Sequence, residues 1–237
     1  MSFFVLSGLS AGYGGRRVLF DFDLSLPERG LTLLVGANGS GKSTLFKALF
    51  GQARVFEARS FDFLDRKISP GARVAWFRRR CGYVPQYRNV FDSLTVEENL
   101  SVALGGVWRA RRTELEAVVG ASPFSRLRDR AGNLSGGQKH ALALALALDE
   151  DKRVLLLDEP LASLDGGART RVASIIGKLA ETKAVLVAEH RFSVFAGVAD
   201  KIVALKQGRV AIVLENARTL ARDALVERVT TALLRAP

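Results

Sequence analysis

The stretch Gly36-Ala37-Asn38-Gly39-Ser40-Gly41-Lys42-Ser43-Thr44 limits what this chain can fold into more than any other. It fits G-x-x-x-x-G-K-[ST] and follows Leu31-Thr32-Leu33-Leu34-Val35, a short apolar run that reads as a buried strand. Leu45-Phe46-Lys47-Ala48-Leu49-Phe50 then reads as the first turns of a helix. Strand, glycine loop and helix in that order are the context the motif needs. Glycines let backbone N–H groups turn inward around phosphate oxygens where a side chain would clash. The helix N-terminus adds unpaired donors and a partial positive charge. Lys42 supplies a point charge for β- and γ-phosphates, and the Ser43 hydroxyl can ligate Mg²⁺. In a chain this long, such a match arises by chance on the order of once in a hundred. The stretch predicts a nucleoside-triphosphate site.

Composition bounds the rest. With 237 residues, 48% of them hydrophobic and 25% charged, the chain is ordinary globular material that can bury a sizeable core. The single cysteine, Cys81, rules out an internal disulfide framework and fits a reducing compartment. The longest apolar run, Ala141 to Leu148, falls short of a membrane span, and the N-terminus reads as a first strand instead of a signal peptide. A soluble, cytoplasmic protein is expected. The net charge of +11 gathers at Arg78-Arg79-Arg80, Arg109 to Arg112 and Arg126 to Arg130, without the aromatic interleaving of a nucleic-acid binder. The plain reading is a solvated basic face; attraction to an anionic leaflet, about 1 kcal/mol per basic residue near the surface, is intermediate and ranks above nucleic acid.

Strands are expected at Phe3 to Ser7 and Val18 to Leu26, with Gly12-Tyr13-Gly14-Gly15 as the loop between them. Tyr13 there either packs at a strand end or stacks on a base. From Gln52 to Arg80 the pattern is weak, and Phe56, Phe61, Phe63 and Ile68 suggest short edge strands. Cys81 to Gln86 reads as a strand closed by Pro85. Residues 90 to 150 look helical: Thr95-Val96-Glu97-Glu98 is a capping box, and Arg111 to Val119 forms a second helix. Leu134-Ser135-Gly136-Gly137-Gln138 opens a long alanine–leucine helix with another capping box. Glycines are a poor choice in a simple first turn, so their presence favours open N–H groups facing an anion.

Arg153-Val154-Leu155-Leu156-Leu157-Asp158-Glu159-Pro160 fits a central parallel strand with an acidic tip. Asp158 suits Mg²⁺, held directly or through water, and Glu159 suits a water placed against a γ-phosphate. Ser163-Leu164-Asp165 opens a helix from about Gly167 to Leu179. Ala184 to Ala188 is a further buried strand tipped by Glu189-His190, where His190 is either structural or a γ-phosphate contact. Ile202 to Leu205 and Val210 to Leu214 make a hairpin around Gln207-Gly208, and a surface helix closes the chain.

In order, Tyr13, GANGSGKST, Gln86, LSGGQ, VLLLDEP, SLD and His190 resemble the ATP-binding-cassette (ABC) family of nucleotide-binding domains over essentially the whole chain. The resemblance implies an α/β fold: a P-loop NTPase of the ABC type with a RecA-like core, an N-terminal antiparallel β-subdomain and an inserted helical subdomain. One domain, 1–237, would divide into core and β-subdomain (1–87 and 150–237) and helical subdomain (88–149). It also implies ATP and Mg²⁺, and a head-to-tail dimer with two ATP molecules at the interface. Gly36, Ala37, Asn38, Gly39, Ser40, Gly41, Lys42, Ser43 and Thr44 would wrap the phosphates. Lys42, Ser43, Asp158 and Glu159 of one subunit would face Ser135, Gly136, Gly137 and Gln138 of the other. Tyr13 would stack on adenine, Gln86 would sense Mg²⁺ and a transmembrane partner, His190 would contact the γ-phosphate, and Asp165 would couple the two sites. The catalytic set is then Glu159, His190 and Lys42, and the metal set Ser43, Gln86 and Asp158.

Transmembrane permease subunits and a second nucleotide-binding subunit are the implied partners, at the inner face of a membrane and without nucleic acid. Family members often carry arginines after LSGGQ where this chain has Ala141 and Leu146. Gly82 to Leu100 is similar to subunits of branched-chain amino-acid importers. The competing reading is a soluble cassette ATPase of DNA repair, translation or iron–sulfur assembly. No long coiled coil and no second cassette support it.

Overall fold

Strand β3 (Gly30–Val35) is buried at every residue, which only a sheet covered on both faces explains. It lies in a six-stranded sheet ordered Arg209–Leu214 (β11), Lys201–Lys206 (β10), β3, Ala184–Glu189 (β9), Val154–Asp158 (β8) and Cys81–Val84 (β7). β10 to β7 run parallel and β11 closes one edge antiparallel. The structure is a computed structural model that describes residues 3–235 apart from 65, 70, 87–89, 150, 163 and 165. Ser163, expected with Leu164 to open a helix, and Asp165, expected to couple the two sites, therefore lie outside the described residues.

Alternate residues of β3 feed two cores, as a period of two dictates. Leu31, Leu33 and Val35 pack with Leu142, Ile176 and Trp108, while Leu34 packs with Phe46, Phe22 and Leu6. The second core joins helix α1 (Lys42–Leu49) to an antiparallel sheet built on β1 (Phe4–Tyr13). β1 pairs with β2 (Arg16–Leu26), β4 (Arg54–Glu57) and β5 (Ser60–Phe63), and β5 pairs with β6 (Arg66–Lys67). The first strand thus runs through Gly12 and Tyr13, and the expected loop shrinks to Gly14-Gly15 with Tyr13 opposite Arg16. Edge strands do fill part of 52–80, but a helix α2 (Arg73–Arg80) follows them. It escapes the sequence because only Phe77 is buried along it and Ala72 offers no capping side chain.

The helical block holds α3 (Val96–Leu104), α4 (Arg112–Val119) and α5 (Gly136–Ala147), joined by 3₁₀ turns. Its arginines are largely paired: Arg109 with Glu97, Arg111 with Glu114, Arg112 with Glu116, Arg126 with Asp129. α6 (Gly166–Ala180) returns to β9. The closing helix α7 (Arg222–Arg235) is more than a surface element, since it buries Leu225 and Val229 against the core. Among the described residues no helix is long and apolar enough to cross a membrane.

Candidate active site

Strand register assembles the site. Val35 lies opposite Glu189, Asp158 opposite Ala188, and Val84 opposite Leu157. The residues just past these strands, namely Gly36, Glu159, His190 and Gln86, therefore meet at one carboxyl edge, where open α/β sheets bind ligands.

The loop between β3 and α1 is forced to be glycine-rich. A Cβ on Gly36 would sit 2.3 Å from the Leu205 carbonyl oxygen. Gly41 caps α1 at φ 110°, in the left-handed region, with no side-chain cap, so the first-turn amides stay open to an anion. Lys42 is buried, and its Nζ donates to the carbonyls of Gly36 (2.8 Å) and Ala37 (3.1 Å) while lying 3.8 Å from Glu159 Oε1. Burial holds this ammonium below the ordinary lysine range, opposed by the charges of Glu159, Asp158 and Glu189.

Ser43 Oγ donates to Asp158 Oδ1 at 3.1 Å. Burial pushes the Asp158 carboxyl above the usual carboxylate range; the Ser43 bond opposes the shift and the Glu159 charge adds to it. A carboxylate short of solvent and counter-charge in this way suits a cation. Glu159 adopts φ 48°, anchored by its N–H donating to Ala188 O at 2.8 Å. Its Oε2 accepts from Gln86 Nε2 at 2.8 Å and lies 3.7 Å from His190 Nδ1. Lys42, Gln86 and His190 thus surround one carboxylate.

Beside it opens a cleft of about 500 Å³ lined by Tyr13, Val18, Asn38, Gly39, Gly41, Lys42, Ser43, Thr44, Gln86 and Glu159, within the usual range for a small-molecule site. Tyr13 leaves 43% of its surface exposed at the rim, with Lys47 Nζ 5.9 Å from its ring centre. Ala37 and Ser40 line instead a cavity of about 300 Å³ behind the loop, with Leu205, Gln207 and Leu233 of α7.

Ser135 caps α5 as expected: its hydroxyl accepts from Gln138 N–H while the Gln138 side chain accepts from Ser135 N–H. Ser135, Gly137 and Gln138 line a separate cleft of about 760 Å³, together with residues of α4 and α6. The chain does not bring this helix tip to its own glycine loop. Residues that the sequence reading passed over are Val18, the Tyr83 phenol, pushed up by burial and by nearby Asp158, and Glu189. Glu189 alone carried a visible signal, an acid beside a histidine at a strand end.

A parallel sheet with a lysine-bearing glycine loop and an acid pair at its edge defines a nucleoside triphosphatase. The family model for ABC transporters matches residues 19–162, more than half of the chain. The chain belongs to the ABC transporter family, as an ATP-binding and ATP-hydrolysing subunit. It is 36% identical over 212 residues to a probable branched-chain amino acid transport ATP-binding protein, LivF, of Archaeoglobus fulgidus, covering 86% of this chain and 88% of that one. It is 35% identical over 240 residues to the nickel import ATP-binding protein NikO of Rhodobacter capsulatus, covering 95% and 94%. A solved ATP-binding cassette of an ABC transporter in its ADP conformation matches the fold at TM-score 0.81 and 18% identity, over 100% of both chains. A second cassette, solved as a dimer in a post-hydrolysis state with ADP and phosphate, matches at TM-score 0.75 and 25% identity, over 90% of this chain and 98% of that one.

Proposed function

We propose that two such subunits clasp two Mg–ATP between them, each glycine loop facing the Ser135-led helix tip of the other, and that the cycle drives transmembrane permease subunits at the inner face of a membrane. The separation of the two clefts supports this reading, because a capped, glycine-led tip has no anion to meet within its own chain. Phe91, Val102 and Val107, on and near α3, are each exposed apolar side chains available to a membrane partner.

Within the site, the loop amides and Lys42 hold the phosphates, and Tyr13 offers a ring to the base. Ser43 Oγ, Asp158 and the Gln86 amide are hard oxygen donors that fit Mg²⁺, and the buried Asp158 carboxyl is stabilised in its charged form by a cation. Bound there, Mg²⁺ would neutralise charge on the phosphate oxygens. Glu159 polarises the attacking water, and His190 contacts the terminal phosphate. The observation that carries the proposal is the Glu159 carboxylate, buried and surrounded by Lys42, Gln86 and His190.

Glu159→Gln is expected to lower kcat at least 100-fold while leaving ATP affinity within about threefold, and to trap an ATP-bound dimer by size-exclusion chromatography. Near-wild-type turnover rejects Glu159 in this role. Relatives between 34% and 37% identical are named for branched-chain amino acids, nickel, phosphonates and molybdenum. Similarity of that breadth singles out no cargo, and we assign cargo selection to the membrane subunits.

A further inference from the structure

We infer that Glu189 is a positioning residue that fixes which nitrogen of His190 faces the nucleotide. The inference rests on His190 belonging to the site proposed above. Glu189 ends β9 between the glycine-loop strand and the Asp158 strand, and it is 1% exposed. Its Oε1 accepts from the backbone N–H groups of His190 (2.9 Å) and Arg191 (3.1 Å) and lies 3.1 Å from His190 Nδ1. Its Oε2 is buried and, among the described residues, has no hydrogen-bond partner.

A merely structural tie to two backbone amides needs one neutral oxygen, which a glutamine or serine supplies. A buried carboxylate with one oxygen unpaired is costly, and that cost goes unrepaid unless the charge has a task. The task is visible in what it faces. Nδ1 sits between carboxylates, 3.1 Å from Glu189 Oε1 and 3.7 Å from Glu159 Oε2, so Nδ1 is the ring nitrogen that carries a proton. Nε2 is then the nitrogen left free of a proton, on a side chain that keeps 35% of its surface exposed. A ring fixed this way accepts from water at Nε2 while neutral and donates to a phosphate oxygen once protonated. Left alone, a neutral imidazole places its proton on either nitrogen, and part of the population would present the wrong face.

The chain has two histidines, so long-range ¹H–¹⁵N imidazole spectra of nucleotide-free protein resolve both, with His190→Ala giving the assignment. The expected result is a His190 Nδ1–H pattern in the wild type that shifts toward Nε2–H in Glu189→Ala. In steady-state kinetics, Glu189→Ala should lower kcat about 10–100-fold with KM for ATP within about twofold, and Glu189→Gln should recover part of the loss. The Glu189→Ala/His190→Ala double variant should be no slower than His190→Ala alone. An unchanged tautomer, or losses that multiply in the double variant while His190→Ala is impaired, overturns the role of Glu189 alone. His190→Ala turning over at the wild-type rate overturns the assignment of His190 and this role together.

Discussion

Asp158 shows what the site costs at the level of one residue. Its carboxyl is raised by burial, so the folded protein holds the proton more tightly than the unfolded chain does. Ionisation is then a penalty that develops as pH rises from the ordinary carboxylate range through the raised value. Asp158→Asn removes that penalty and keeps an oxygen to accept from Ser43. The nucleotide-free variant is therefore expected to melt higher at pH 7–8, by about 2–4 °C for each kcal/mol regained, and to lose the gain as pH falls toward 4. Scanning calorimetry across pH checks this, and ATP turnover should be lost at the same time. Lys42, Ser43, Asp158 and Glu159 were legible in the sequence because phosphate and metal binding demand local patterns: a glycine loop before a helix, an acid pair after an apolar strand. Glu189 showed only as an acid beside a histidine at a strand end; its weight comes from β9 sitting between β3 and β8, a fact of pairing between distant segments.

At the level of elements, caps were the most readable feature. Thr95 with Glu98 and Ser135 with Gln138 both form complete boxes, since each depends on residues three apart and on nothing else. Ser135→Ala should cost about 1 kcal/mol, a fall in melting temperature of about 2–4 °C, and should also weaken ATP-driven association, readable by analytical ultracentrifugation with Glu159→Gln as background. Loss of stability without loss of association would mark Ser135 as a cap only. α2 was the least readable element: three arginines fill its last turn, and Phe77 alone marks an inward face. Its helicity comes from docking Phe77 against Phe4 and Phe50, not from its own pattern. The loop expected from Gly12 to Gly15 failed for the opposite reason. The glycines read as a loop, yet pairing with β2 and β4 carries β1 through Gly12.

Across the whole molecule, the feature that matters most is that, among the described residues, the glycine-loop cleft and the Ser135 cleft share none. If ATP is held by one half-site from each of two chains, two separately dead proteins should rescue one another. Glu159→Gln spoils only the loop half. Gly137→Asp, whose new Cβ would rest in ordinary contact 3.6 Å from Ala168, spoils only the tip half by setting a carboxylate where phosphate should arrive. Pairing the two kinds of chain gathers both lesions into one nucleotide chamber and leaves the other chamber built wholly from sound parts. An equal mixture, with partners exchanging freely, should regain ATP hydrolysis that neither variant shows by itself, whereas an enzyme complete within a single chain would stay silent however the two were blended.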